Sequence, residues 1–281
     1  MLGGLTAGSF LQGHWQKRPL LVRAALPEFA GMLQPRELMQ LACREDAQAR
    51  VVVRTGRRWE VHHGPFTAAF FKRLAPARWT LLVQDVNHFL PRARELLERF
   101  RFLPYARLDD VMVSYAPRGG GVGPHFDSYD VFLLQAHGRR RWRIGAQRDL
   151  TLVPGAPLKL LARFRPQEEH VLEPGDMLYL PPGVPHHGEA VDACMTFSIG
   201  MRAPSQAEAK VMQERAGDPS IRMVQAPQTP CSHPMCVAVR NCCSRKKSAR
   251  CVRGSTCAVI ARPFISRVSS LMIRSPVLPP A

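Results

Sequence analysis

Leu172-Glu173-Pro174-Gly175-Asp176-Met177-Leu178-Tyr179-Leu180-Pro181-Pro182-Gly183-Val184-Pro185-His186-His187-Gly188 alternates turn chemistry with a short apolar run. Pro174-Gly175-Asp176 reads as a tight turn, because proline fixes φ, glycine accepts positive φ and aspartate bonds its own backbone. Met177 to Leu180 is too short for a helix and reads as a strand covered on both faces. A proline-rich turn then presents two adjacent histidines. Turn, buried strand and turn-mounted histidine suit a β-sandwich or barrel of jelly-roll type.

Upstream, Gly119-Gly120-Gly121-Val122-Gly123-Pro124 has the look of a phosphate loop, but no Lys-Ser/Thr follows and no helical pattern begins. His125-Phe126-Asp127 follows instead. In an extended segment the side-chain period is two, so His125 and Asp127 point to the same side and would share one ion. Such a motif alone is weak. With a histidine from the later turn it completes two histidines and a carboxylate with open positions, the donor set of non-haem Fe(II) oxygenases; zinc prefers a closed tetrahedron, so iron or manganese is the better match.

The run Arg139-Arg140-Arg141-Trp142-Arg143-Ile144 invites a nucleic-acid reading, but alternation opposes it. Arg139, Arg141 and Arg143 share one face of a strand; Arg140 shares the other with Trp142 and Ile144, which marks it as inward. An inward arginine keeps its charge and requires an anion, which the dicarboxylate 2-oxoglutarate would supply through a bidentate contact.

Short strands separated by turns are expected at Val111–Tyr115, Val131–Gln135, Arg140–Ile144, Met177–Leu180 and Met195–Met201. Residues 5–100 read as mostly helical, with helices near Phe10, over Arg36–Cys43 and over Leu90–Phe100, and with short strands at Leu20–Val22, Arg50–Val53 and Trp79–Val83. The expected class is therefore mainly β with a helical flank. Its parts are an N-terminal helical or mixed flank over 1–100, a jelly-roll core over 101–204 and a tail over 205–281.

The chain has 281 residues and a net charge of +17, unevenly spread. Residues 1–218 carry 29 Lys/Arg against all 22 Asp/Glu, whereas residues 219–281 carry 10 Lys/Arg, no acid and six of the eight cysteines. The tail reads as a basic disordered segment or as sequence from a shifted reading frame. A zinc site is a third reading: Cys231, His233 and Cys236 offer soft ligands, though without the paired C-x₂-C spacing of a zinc module. No run approaches the ~18 apolar residues of a membrane span, and Met1 to Leu11 lacks a basic leader, so the expected location is cytoplasmic and no membrane partner is expected.

In order along the chain, His14-Trp15-Gln16-Lys17-Arg18-Pro19, His63-Gly64-Pro65-Phe66, Trp79 to Gln84, the glycine run through Tyr129-Asp130-Val131-Phe132, Gly138 to Gly145 and the Pro-Gly-Asp to His186 segment resemble the bacterial ribosomal oxygenases. That resemblance covers about residues 1–204. It implies a double-stranded β-helix of cupin or Jumonji C type, with Fe(II), 2-oxoglutarate and O₂ consumed in hydroxylating an arginine of the large-subunit ribosomal protein L-sixteen. It implies metal ligands at His125, Asp127 and His186, with His187 as the neighbouring alternative. It implies co-substrate contacts at Arg140 and Ser114. The family's helical dimerisation region and C-terminal domain have no match after Pro204, so the homodimer it implies lacks its usual sequence. Two other classes compete: a non-catalytic cupin-type binding protein, and nucleic-acid binding through the basic tail.

Overall fold

The computed structural model describes residues 1–29 and 32–202. They fall within one compact unit, Met1–Ile221. The expectations for the tail over 205–281, for its cysteines and for a homodimer lie outside the described residues.

The elements run α1 Ala7–Gly13, β1 Leu20–Val22, α2 Pro35–Leu41, β2 Ala49–Thr55, β3 Arg58–His63, α3 Ala68–Arg73, β4 Trp79–Val83, α4 Val86–Phe89 and α5 Pro91–Glu98. There follow β5 Leu108–Ala116, β6 Val131–His137, β7 Arg140–Gly145, β8 Pro166–Leu172, β9 Met177–Leu180, β10 His186–Ala190 and β11 Cys194–Met201. An eight-stranded sheet has the order β1-β9-β6-β11-β5-β4-β2-β3, and a three-stranded sheet has the order β10-β7-β8. Every pairing is antiparallel. The class is mainly β, as the turn-punctuated strands imply.

Period-two alternation on the central strands builds two different spaces. One face of the large sheet buries Leu81 and Val83 of β4, Val111 and Val113 of β5, Phe132 and Leu134 of β6, and Phe197 and Ile199 of β11 in the main core, with Phe10 of α1 and Leu96 of α5. The opposite face divides. On β6 and β9 it presents Val131, Leu133, Leu178 and Leu180, which pack with Trp142 and Ile144 of β7 into a second apolar cluster. On β4, β5 and β11 it presents Thr80, Asp110, Ser114, Thr196 and Ser198, which line a cavity. Strands with both faces apolar thus pin the sheets together, and strands with one polar face leave room for a site.

The flank is mixed rather than mostly helical, because β2 and β4 continue the large sheet from β5 outward and β3 forms its edge. Its helices are short. Thr6 caps α1 by accepting from the Ser9 N–H, and Thr67 caps α3 by accepting from the Phe70 N–H. Three strands carry no sequence signal: β3 and β8 are polar edge strands with mostly exposed or half-buried residues, and β10 opens on the two histidines. Edge strands tolerate charge because one side of their backbone faces water.

Candidate metal centre

His125, Asp127 and His186 come together: one ligand atom from each lies within 4.8 Å of the others. The backbone arranges this. His125 N–H donates to the His186 carbonyl at 2.9 Å and His186 N–H returns the bond at 2.8 Å, an isolated two-residue bridge that puts the rings 4.2 Å apart. Gly183 N–H donates to the Asp127 carbonyl at 2.7 Å, tying the carboxylate to the turn that delivers His186. Asp127 Oδ2 stands 3.6 Å from His186 Nε2. Ligand bonds of roughly 2.0–2.2 Å would set neighbouring donors about 3 Å apart, so small side-chain rotations close the site on an ion.

Both imidazoles are held in one tautomer. Nδ1 of His125 lies 2.9 Å from the Gly123 carbonyl, and Nδ1 of His186 lies 2.9 Å from the Val184 carbonyl. A carbonyl only accepts, so each Nδ1 carries the proton and each Nε2 keeps its lone pair for a metal. Burial drives the His186 pKa well below its usual value, and the neighbouring His125 adds to this. Burial also raises the Asp127 carboxyl, against the pull of His125, Lys159 and Arg50. Two imidazoles that offer Nε2, around a carboxylate whose charge burial disfavours, form a donor set suited to a cation.

His187 lies on the other face of β10, opposite Arg143 on β7, with its ring edge-on to Phe164 at 6.3 Å. Burial lowers its pKa to about 4. His186→Ala should therefore cost most of the bound iron and His187→Ala little, measured as metal content after dialysis. A larger loss at His187 would reassign the ligand.

The cavity has a volume of about 590 Å³ and is lined by the three residues above together with Arg140, Ser114 and Trp142. Arg140 is inward, as alternation requires, and only 4% exposed. Among the described residues its Nε and Nη2 are buried without a hydrogen-bond partner. A buried guanidinium in that state fits an anionic ligand. Trp142 spaces the two halves of the site: its ring lies 5.8 Å from the Arg140 guanidinium carbon and 5.8 Å from the His186 ring. It fits there because residue 188 is glycine; a Cβ at Gly188 would come within 2.7 Å of the indole. Ser114, 4% exposed, donates its hydroxyl to the Thr196 carbonyl at 3.4 Å.

The glycine run serves close packing and not phosphate binding. A Cβ at Gly121 would stand 2.4 Å from the Gly188 carbonyl oxygen, so glycine there lets the chain pass close against β10.

Sequence reading passed over Asp110 and Tyr129. Asp110 lines the cavity and is 7% exposed; its Oδ2 accepts from Gln84 Nε2 at 3.0 Å and from Asp85 N–H at 3.3 Å. Its Oδ1 faces Gly200, where a Cβ would come within 2.9 Å. Burial raises its pKa to about 6, and the charges that act on it most, Asp85 and Asp109, are also acidic. Tyr129 feels both Asp127 and Asp110, and burial raises its hydroxyl pKa first of all. The alternation of β5, which puts Asp110 on the same face as Ser114, was the available signal.

This architecture, a double-stranded β-helix with a His-x-Asp pair and a later histidine around a buried cavity, defines a Jumonji C type domain. Residues 95–209 match the JmjC domain family. The chain is 43% identical over 202 residues to the ribosomal protein uL16 3-hydroxylase of Escherichia coli, covering 71% of this chain and 53% of that protein. It is 40% identical over 206 residues to a probable ribosomal oxygenase of Haemophilus influenzae, covering 72% and 50%. The solved structure of YcfD, a ribosomal oxygenase from Escherichia coli in complex with cobalt and 2-oxoglutarate, superposes with a TM-score of 0.66 at 38% identity, covering 83% of this chain and 62% of that one. The resemblance drawn from the motifs is borne out, and the chain spans about half the length of the curated relatives it matches. No described helix is long and apolar enough to cross a membrane.

Proposed function

We propose that the chain is an Fe(II)- and 2-oxoglutarate-dependent protein hydroxylase acting on an arginine of ribosomal protein uL16. His125, Asp127 and His186 are its metal ligands, and Arg140 and Ser114 contact its co-substrate. The observation that carries this reading is the buried Arg140, with two unpartnered nitrogens in the same cavity as the histidine and aspartate donors. Bound there, iron and 2-oxoglutarate would supply the oxidising power, one atom of O₂ leaving in succinate as CO₂ is lost and the other entering the target as a hydroxyl.

The chain's own residues bind and orient. His125 and His186 offer Nε2 because the Gly123 and Val184 carbonyls hold the Nδ1 protons. A divalent iron, one aspartate and a dicarboxylate leave one net negative charge, which the Arg140 guanidinium balances in a low-dielectric pocket. Trp142 and Leu133 line the cavity and keep water from it. Asp110 supports arginine as the target: its Oδ1 accepts no hydrogen bond among the described residues, and a guanidinium is the side chain best matched to a buried carboxylate.

Supplied with Fe(II), 2-oxoglutarate, O₂ and uL16, the chain should form succinate and add one oxygen to an arginine, read by mass spectrometry. Iron binding with no consumption of 2-oxoglutarate would favour the non-catalytic cupin reading instead.

Asp110→Asn separates target binding from co-substrate binding. Target turnover, as kcat/KM, should fall by about 2 kcal/mol or more, roughly thirty-fold, while target-free 2-oxoglutarate turnover is kept. The stability effect has the opposite sign. The folded pKa of Asp110, about 6, lies above its ordinary value of 3.8, so its contribution is full below 3.8 and is lost as pH rises through 6. Above pH 6 the asparagine variant should be the more stable by on the order of 1–3 kcal/mol, and the gap should close in acid, measured by urea denaturation. A lower stability for the variant at neutral pH would show that the carboxylate is satisfied within the fold.

A further inference from the structure

We infer that the end of the large sheet beside the cavity binds single-stranded RNA, an inference that rests on the reading of the target as a ribosomal protein. The end of β2, the start of β4 and the chain just after β5 meet there. Arg54 N–H donates to the Arg78 carbonyl at 2.9 Å, and Arg78 N–H donates to the Arg118 carbonyl at 3.0 Å, so three arginines stand in a row across three strands. The β2–β3 turn adds Arg57 and Arg58. All five are exposed. Arg58 has a carboxylate partner, Glu60 at 3.3 Å; among the described residues the other four have none. Some surface arginines pair with carboxylates, as Arg44 does with Asp46 and Arg139 with Asp192, and others do not; what sets this end apart is that four unpaired arginines meet there around one aromatic ring. Cations crowded at one sheet end without carboxylates make a local positive field that a polyanion relieves.

An aromatic ring makes the patch specific to nucleic acid. Trp59, next to Arg58 in sequence, is half-buried, and the Arg54 guanidinium lies 5.4 Å over its ring. A flat ring among arginines stacks unpaired bases, whatever their identity, while the guanidiniums hold phosphates. The patch also reaches the site. A Cβ at Gly123 would come within 3.1 Å of the Trp59 ring, and Gly123 is two residues from His125. Arg50 and Lys159, both exposed, carry the positive charge on to the cavity wall. RNA held on this end would present a protein segment bound to it at the cavity mouth, so the preferred target is uL16 with an RNA segment attached.

The test uses the full chain and a short fluorescent single-stranded RNA, with affinity measured by anisotropy across a salt series. Arg57→Gln/Arg78→Gln/Arg118→Gln should lose at least about ten-fold in affinity at low salt. The slope of log affinity against log salt should fall by about 2, the value for three phosphate contacts on a single strand. The basic residues beyond 218 are the same in both chains, so binding carried there cancels. Trp59→Ala should weaken RNA binding about ten-fold with little change in slope and leave the affinity for heparin as it is. If the triple variant does not fold, Arg57→Gln/Arg118→Gln should give two-thirds of the slope change.

Affinity and slope that match wild type in these arginine variants would overturn the inference. So would arginine-dependent binding with Trp59→Ala unaffected and polyglutamate bound as tightly as RNA, which would assign the patch to acidic polypeptides. None of the substituted residues lines the cavity, so target-free 2-oxoglutarate turnover reports on the proposed reaction separately: turnover kept without RNA binding rejects this inference alone.

Discussion

Asp127→Ala should yield a chain that folds but neither holds iron nor turns over 2-oxoglutarate. Asp127 is the only anionic donor among the three residues that converge, so its loss leaves two neutral imidazoles and no charge to offset a divalent ion. Metal affinity should fall by more than the roughly 10–100-fold that removal of a supporting partner of a ligand costs. The fold has little to lose. The carboxyl is disfavoured by burial in the metal-free chain, and the link from the Asp127 carbonyl to Gly183 N–H is a backbone bond that alanine retains. A metal-free Tm close to wild type, with iron content near zero, is the expected pair of readings. Succinate formation at the wild-type rate would remove Asp127 from the metal site, and with it the proposed metal centre.

Arg140→Ala should act on the co-substrate and spare the metal. Among the described residues its Nε and Nη2 find no partner, so without an anion the guanidinium is a cost, and with a carboxylate it becomes a charge-assisted pair. Losing one side of such a pair costs about 2–4 kcal/mol, so the KM for 2-oxoglutarate should rise roughly thirty- to thousand-fold with iron content kept. Thermal shift gives a second reading: 2-oxoglutarate should raise the Tm of the iron-loaded wild type and not that of the variant. Arg139→Ala is the control. Arg139 is exposed and paired with Asp192 at 2.8 Å, an interaction worth at most about 1 kcal/mol. Equal losses at Arg139 and Arg140 would point to a shared basic surface.

Legibility in the sequence followed burial. β6, β9 and β11 bury both faces or an unbroken apolar face, so their residues read as strands without reference to neighbours. Pro-Gly-Asp marked its turn because Asp176 accepts from the Ala24 and Glu173 N–H groups, a role a short carboxylate fills well. β3, β8 and β10 were missed because their order comes from hydrogen bonds to partners distant in the chain, which leave no local pattern. The flank read as helical for a related reason. Strands are expected at Arg50–Val53 and Trp79–Val83, but β2 joins the large sheet through β4 and β4 through β5, pairings that leave no local pattern.

At the site, alternation was enough to put Arg140 inward, because neighbours on a strand face opposite ways, whereas the choice of His186 over His187 came from the family resemblance. It was not enough for Asp110. A lone carboxylate after Asp109 looks like a solvated strand end until β11 brings Gly200 against it. The arginine row was hidden for the same reason: Arg54, Arg78 and Arg118 are far apart in sequence and adjacent only through the register of β2, β4 and β5.

The most direct test is an anaerobic titration of 2-oxoglutarate into the iron-loaded chain, followed by visible absorption, since a 2-oxo acid chelated to Fe(II) gives a charge-transfer band that neither gives alone. The account predicts a band that saturates at one co-substrate per iron, is absent in Asp127→Ala and needs far more 2-oxoglutarate in Arg140→Ala. Iron bound at one per chain with no band at any co-substrate concentration, or a band unchanged in Asp127→Ala, would contradict it.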